Sequence, residues 1–265
     1  MVFSKGARTA QKLLQECGLD DVTDIDLGDL LAYRGALLVE GKMHNADGRI
    51  IHGKKRSIIK VNSEIPYPGR KRFTIAHELG HFEMHRDYPI HNDSESLDWF
   101  SETLHKMKNG YQELEANEFA SELLMPAELF KSETRYKKFT PDLLRSLAER
   151  FQTSITSVVF KCVELDIHPV CVAFISNGVV QYWKKSEGFK FWVTDRNKMP
   201  PPDDSVAMEY IEAGYEPVYS KEESQQAISK STWLEIPDND EDEPFYEYCI
   251  PTKQYKTVLS IIWQD

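Results

Sequence analysis

The sequence is poor in cysteine, and its four cysteines are far apart: Cys17, Cys162, Cys171 and Cys249. Because no two of them form a CxxC pair, the sequence argues against a zinc ribbon and against a dense disulfide framework. It also lacks an apolar run near the roughly 20 residues that a membrane helix needs, and it has no basic leader followed by an apolar run. We therefore expect reduced thiols, a soluble cytoplasmic protein and no membrane partner.

Basic residues are fewer than acidic ones: the sequence has 32 Lys and Arg against 43 Asp and Glu, which gives a net charge of −11. This balance opposes non-specific attraction to phosphate backbones, so no direct contact with nucleic acid is expected unless a basic patch forms locally. Apolar residues make up 41% of the chain, which is enough to fill a sizeable core.

The apolar periodicity predicts an α+β fold in three regions. Residues 1–135 combine helices with a small sheet, and residues 136–168 read as a pair of helices that begins at Thr140 and Pro141. Residues 169–265 change to period two and form a β-rich domain. The elements expected from these patterns are strands at 36–40, 49–51 and 57–62, helices at 71–85 and 110–125, a loop at 87–110, a hairpin turning at Asn177-Gly178, and strands at 189–193 and 256–263.

The segment His77-Glu78-Leu79-Gly80-His81 carries the clearest chemical signal. On a helix, His77 and His81 lie one turn apart and can present both imidazoles to a single metal ion. Glu78 is rotated away from that ion but can face a water molecule beside it, as a general base must. A random chain of this composition would contain about 0.02 HExxH patterns. A metal site is therefore favoured over two ordinary core histidines, and the helix-disfavoured Gly80 predicts close approach of another backbone.

A catalytic zinc site needs a third protein ligand and a vacant fourth position. His85 lies too far along the same helix, and a metzincin pattern fails because Met84 and Asp87 occupy its glycine and third histidine positions. A carboxylate on the helix ELEANEFASELLMP is therefore preferred. Its apolar face favours Glu115, with Glu113 at the opposite edge as a second choice, whereas Glu118 and Glu122 are expected to point toward solvent.

Three motifs in order resemble the ImmA/IrrE family of zinc metallopeptidases: RFTxAHELGH from Arg72, EANxFA from Glu115, and LLMP from Leu123. The resemblance covers roughly residues 30 to 130 and implies a zincin-like core in the N-terminal region. It implies one Zn²⁺ ion held by His77, His81 and Glu115, with Glu78 as the catalytic base. Mn²⁺ or Fe²⁺ would also suit such a site. The resemblance further implies cleavage of a protein partner, a helix-turn-helix repressor of a phage, mobile element or stress response.

The same resemblance suggests that one strand offers its open edge to an extended peptide substrate. The candidate strand is Ser57, Ile58, Ile59, Lys60, Val61 and Asn62, and an ordinary sheet strand is the alternative. Two other functions remain open. One is a zinc-stabilised module that binds a partner without cutting it, as an antitoxin or anti-repressor would. The other is a DNA-binding regulator using residues 140 to 165, which the single cation of the second helix, Lys161, supports poorly.

Overall fold

A computed structural model describes residues 4–44, 46–53, 56–85, 110–238 and 240–264. The α+β class is confirmed, with two sheets and helices in both parts of the chain. The chain divides into two compact units, Met1–Glu133 with Ser146–Val158, and Thr134–Arg145 with Val159–Asp265. The region 136–168 is therefore shared between the two units. The predicted loop at 87–110 lies outside the described residues except for Gly110.

The first helix begins and ends with recognisable caps. Ser4 accepts a hydrogen bond from Ala7 N at the start of the first helix, and Gly18 ends it at φ +64°. The helices are α1 (Lys5–Cys17), α2 (Leu27–Arg34), α3 (Pro68–Met84), α4 (Gly110–Leu124) and α5 (Ala127–Thr134), and the pair α6 (Pro141–Arg150) and α7 (Ile155–Glu164) extends into the second unit. Among the described residues, no helix is both long and apolar enough to cross a membrane.

Three short strands form the sheet of the first unit in the order β1-β3-β2: β1 (Ala36–Gly41), β2 (Gly48–Ile51) and β3 (Ser57–Asn62). All three strands are where the sequence predicts them. β3 pairs with β1 in parallel and with β2 in antiparallel register, so both edges of β3 are paired with neighbouring strands. The expectation that Ser57 to Asn62 offers an open edge to a peptide is therefore wrong. Ile59 and Val61 of this middle strand are fully buried.

Helix α4 lies unusually close to two other helices. A Cβ atom on Gly80 of α3 would come within 3.1 to 3.2 Å of Phe119 and Ala116, and one on Gly6 of α1 would come within 2.2 Å of the Glu115 carbonyl oxygen. The prediction that Gly80 marks a close backbone approach is confirmed. These contacts hold α4 between α1 and α3, and most of its surface is buried as a result.

The second unit is built on a five-stranded antiparallel sheet. Its strands are β4 (Val170–Ser176), β5 (Val179–Lys185), β6 (Gln225–Ser229), β7 (Pro244–Thr252) and β8 (Thr257–Trp263), in the order β5-β4-β8-β7-β6. Helices α8 (Val206–Glu212) and α9 (Lys230–Trp233) complete it. Asn177 and Gly178 both have positive φ, 50° and 78°, as a two-residue hairpin turn requires.

Of the two further strands predicted for the second unit, one is confirmed and the other is wrong. The strand expected at 256–263 is β8, but the strand expected at 189–193 is wrong, because only Val193 makes a bridge, to Leu234. Phe189 lies in the core of the second unit instead. The four cysteines are free thiols, and burial raises the pKa of Cys162 and of Cys171 to about 12.

A buried carboxylate lies inside the second unit. Glu247 of β7 is fully buried and accepts hydrogen bonds from the backbone N–H of Val206 at 2.8 Å and of Ala207 at 3.2 Å. It also accepts one from the Ser260 hydroxyl at 2.6 Å. Burial raises the pKa of the Glu247 carboxyl, although these donors oppose the effect. The carboxylate thereby binds the first N–H groups of α8 to the sheet.

Candidate metal centre

Helix α3 brings His77 and His81 together. The helix starts with Pro68 at its first position, and it is buried on all sides from Phe73 to Phe82. The two Nε2 atoms are 3.0 Å apart, and the ring centroids are 4.7 Å apart. Both imidazoles therefore point to one place, as their i, i+4 spacing predicts.

Glu113 of α4 completes the cluster. Its carboxylate oxygens lie 3.2 Å from Nε2 of His77 and 3.4 Å from Nε2 of His81. Burial alone would raise the pKa of Glu113, but hydrogen bonds and positive charge from the two histidines outweigh it and hold that pKa far below its ordinary value. Among the described residues, these three side chains are the group of His, Cys, Asp and Glu that could hold a metal ion.

Glu115, the first choice from the sequence, lies elsewhere. Its carboxylate contacts Nε2 of His85 at 2.8 Å and the Lys5 ammonium at 2.7 Å. Burial opposes ionisation of Glu115, but these two partners lower its pKa overall. Residues two positions apart in an α-helix are separated by about 200° around its axis. Glu113 and Glu115 therefore cannot face the same point. The structure therefore groups the second choice, Glu113, with the histidines.

The two remaining glutamates of α4 also differ from expectation. Glu122 is buried rather than directed to solvent, because it accepts hydrogen bonds from Gln11 Nε2 at 2.9 Å and from the backbone N–H of Ala127 at 3.1 Å. It thereby joins α1 to the start of α5. Glu118 is partly buried beside Gly6.

The outer nitrogens of both histidines have hydrogen-bond partners. Nδ1 of His77 lies 2.7 Å from Oδ1 of Asn117, and Nδ1 of His81 lies 3.0 Å from Nδ1 of His85. Asn117 was not singled out from the sequence. Its position could have been inferred from the sequence, because Glu113 and Asn117 are four residues apart and share one face of α4. A buried amide on that face indicates a polar site.

Glu78 is buried next to the edge of the sheet. A Cβ atom on Gly48 of β2 would lie 2.7 Å from Oε1 of Glu78 and 2.7 Å from Cγ2 of Thr74. The β2 backbone therefore approaches the Glu78 carboxylate as closely as a glycine permits. Within the described residues, β2 is an edge strand of its sheet.

The helical pair α6 and α7 has little positive charge to offer to DNA. Lys161, the only cation of α7, is buried and lies 3.4 Å from Glu164. Arg145 and Arg150 of α6 form ion pairs with Asp142 and Glu133. A helix that reads the major groove needs exposed polar and basic side chains, which these contacts do not supply.

Comparisons with known proteins bear on the family and on the fold. Residues 32–162 match the model of the peptidase M78 family, described as the IrrE N-terminal-like domain. A solved structure of a Mycobacterium tuberculosis transcriptional regulator is similar in fold, with a TM-score of 0.59 and 13% identity over 99% of this chain and 77% of that chain. No match was found among curated proteins.

Proposed function

Because residues 32–162 match the IrrE N-terminal-like domain of the peptidase M78 family, we propose that this chain is a metal-dependent endopeptidase. His77, His81 and Glu113 would hold a single divalent ion, for which Zn²⁺ is the first candidate. The convergence of these three side chains carries the proposal. The assignment replaces Glu115 by Glu113 in the ligand set.

The spacing of the three donors fits a tetrahedral ion. Zinc bonds to histidine nitrogen and carboxylate oxygen measure about 2.0 to 2.1 Å, so two ligands of a tetrahedral site lie about 3.3 to 3.4 Å apart. The corresponding separations here are 3.0 Å between the two histidine Nε2 atoms, 3.2 Å from His77 to Oε2 of Glu113 and 3.4 Å from His81 to Oε1 of Glu113. Two nitrogens and one carboxylate also leave a fourth position for water or substrate, as catalytic sites do.

In such a site zinc acts as a Lewis acid toward a peptide carbonyl and makes a water molecule acidic near neutral pH. The remaining chemistry belongs to Glu78. Its carboxylate would accept a proton from the attacking water and deliver it to the nitrogen of the leaving amine. Burial keeps bulk water from competing for that proton. The close β2 backbone at Gly48 would limit the positions that the carboxylate can adopt.

We also propose β2, in place of β3, as the strand that aligns the substrate. An extended peptide can add to an edge strand through backbone hydrogen bonds. β2 is an edge within the described residues, and a Cβ atom on Gly48 at its start would lie 2.7 Å from Oε1 of Glu78. A peptide paired with β2 would therefore pass beside the proposed base.

The proposed substrate is a helix-turn-helix repressor, as the motif resemblance implies. The similar Mycobacterium tuberculosis structure is of a transcriptional regulator, which is compatible with a role in gene control. The charge of −11 and the buried Lys161 favour action on a protein rather than on DNA.

The decisive experiment co-expresses the chain with helix-turn-helix repressors encoded beside its gene. Wild type should generate a discrete fragment whose new N-terminus can be sequenced. Glu78→Gln keeps the size of the side chain but removes the base, so it should leave the repressor intact. Glu128→Gln is a matched control because that side chain is 82% exposed and forms a local ion pair with Lys131. Equal cleavage by wild type and Glu78→Gln would refute the proposed role of Glu78.

A purely binding function has a different outcome in the same experiment. If the chain relieves repression without cutting, Glu78→Gln should relieve repression as wild type does, and no fragment should form. Purified protein treated with a chelator and then given Zn²⁺ separates the two cases further. A peptidase regains cleavage on addition of Zn²⁺, whereas a binding module regains only complex formation.

A further inference from the structure

A continuous series of polar contacts leads from His81 to the surface. Nδ1 of His81 lies 3.0 Å from Nδ1 of His85, and Nε2 of His85 lies 2.8 Å from Oε2 of Glu115. The same carboxylate oxygen accepts a hydrogen bond from the Lys5 ammonium at 2.7 Å. The His85 side chain is only 4% exposed, whereas Lys5 is 53% exposed. The series therefore joins the buried cluster to the N-terminal helix α1.

The proposed function allows only one arrangement of protons along this series. If His81 directs the lone pair of Nε2 to a metal ion, its proton is on Nδ1 and is donated to Nδ1 of His85. His85 must then carry its own proton on Nε2 and donate it to Glu115. The Glu115 carboxylate then accepts one hydrogen bond from His85 and one from Lys5.

Helix α1 can reach Glu115 because Gly6 has no side chain. A Cβ atom at Gly6 would lie 2.2 Å from the Glu115 carbonyl oxygen and 2.9 Å from Cβ of Glu118. The absence of a side chain lets α1 lie against α4 and places Lys5 over the carboxylate. α1 lies outside the residues that match the family model, which begin at residue 32.

We propose that His85 and Glu115, supported by Lys5 of α1, are positioning residues that fix the ring orientation and tautomer of His81. The proposal rests on the proposed metal site. Outer hydrogen bonds of this kind orient ligating histidines and raise their basicity, and losing one typically weakens metal binding by about 10-fold to 100-fold. Glu115 thus has a role in the site without being a ligand, and α1 belongs to the site although it lies outside the matched domain.

The test measures the affinity of the full chain for Zn²⁺ by competition with a chromophoric chelator. Glu115→Ala and His85→Ala should bind Zn²⁺ about 10-fold to 100-fold more weakly than wild type. Glu115→Gln keeps an oxygen that can accept from His85, so it should lose less than Glu115→Ala. Glu128→Ala, an exposed glutamate on α5, is the control and should bind as wild type does.

A spectroscopic measurement separates positioning from a general effect on stability. Co²⁺ takes the same donors as Zn²⁺ and its visible absorption reports the ligand geometry. The bands should shift in Glu115→Ala and His85→Ala but not in Glu128→Ala. Circular dichroism of the metal-free variants checks that each one folds. If Glu115→Ala does not fold, Glu115→Gln carries the test through a smaller loss of affinity and a smaller shift.

Lys5 provides a second, independent arm. Lys5→Met should weaken Zn²⁺ binding by at most about fivefold, because the ion pair is exposed. It should have no further effect in a Glu115→Ala background, since Lys5 acts only through that carboxylate. Lys12→Met is the matched control, because Lys12 lies on the same helix and is 77% exposed. Equal effects of Lys5→Met in both backgrounds would contradict the proposed connection.

Glu113→Ala distinguishes failure of this inference from failure of the metal site itself. If Glu113→Ala binds Zn²⁺ as tightly as wild type, the proposed metal site is wrong. If Glu113→Ala loses affinity while Glu115→Ala and His85→Ala match the control, only the positioning role is wrong. A loss for Glu115→Ala as large as that for Glu113→Ala would make Glu115 a ligand and would also overturn the inference.

Discussion

Replacing Gly48 by alanine should damage the proposed base without touching any metal ligand. The new Cβ would lie 2.7 Å from Oε1 of Glu78 and 2.7 Å from Cγ2 of Thr74. Comfortable contacts between such atoms are about 3.5 to 4.0 Å, so the overlap is close to 1 Å. Thr74 cannot rotate freely out of the way, because it is buried and its hydroxyl donates to the Arg70 carbonyl at 3.0 Å.

The Glu78 carboxylate must therefore move by about 1 Å, and a displacement of this size can reduce a catalysed rate by about 100-fold. Overpacking should also lower the free energy of unfolding by about 1 to 3 kcal/mol. Zn²⁺ affinity should change little, since the three atoms nearest to the new methyl group belong to Glu78 and Thr74 and not to His77, His81 or Glu113.

The assay measures kcat/KM for cleavage of a repressor substrate, together with Zn²⁺ affinity and urea unfolding. Gly41→Ala is the matched control in the same sheet, because among the described residues its Cβ would meet only the flexible end of Lys60, at 3.2 Å. A Gly48→Ala variant that cleaves at the wild-type rate while Glu78→Gln is inactive would refute the argument that β2 restrains the base.

Two further outcomes concern stability. Gly80→Ala should destabilise the first unit by about 1 to 3 kcal/mol, because the added methyl group meets Phe119 and Ala116 at 3.1 to 3.2 Å. Helix propensity alone would instead stabilise the variant by roughly 1 kcal/mol. A urea midpoint higher than that of wild type would therefore contradict the prediction. For Glu247, the folded-state pKa is raised above its ordinary value of 4.5, so its contribution to stability is complete below pH 4.5 and is lost as pH rises through the folded pKa. The Glu247→Gln side chain does not titrate, so the variant should not lose this stability as pH rises. The unfolding free energy of the variant minus that of wild type should therefore increase from pH 4.5 to pH 7.5. A difference that does not change with pH would show that Glu247 is not the titrating group.

The histidine pair could be predicted from the sequence because it depends only on helical periodicity. The choice between Glu113 and Glu115 depends on the rotation of α4 about its axis, which is set by packing against two neighbours. Gly6 brings α1 to the Glu115 side of α4, and Gly80 brings α3 to Ala116. An apolar-face argument assumes one buried side, and α4 is buried on more than one.

The strands of the first unit were likewise predictable, but their order was not. β2 and β3 pair as sequence neighbours, whereas β1 pairs with β3 in parallel and leaves β2 at the edge. The sequence of a short apolar strand does not indicate which distant strand it pairs with. In the second unit Asn177-Gly178 specifies its hairpin through positive φ, while the tracts that become β6 and β7 carry no comparable turn signal, and both strands were missed.

The first unit is not a continuous length of chain. Phe130 stacks on Phe151 with ring centroids 5.4 Å apart, and Gly69 at the start of α3 lies against the backbone of Thr153. A stop codon after residue 135 would therefore remove part of the core beneath the histidine helix. The first unit therefore cannot be transferred as an N-terminal fragment that stops at residue 135, and a fragment that keeps the whole unit has to extend at least to Val158.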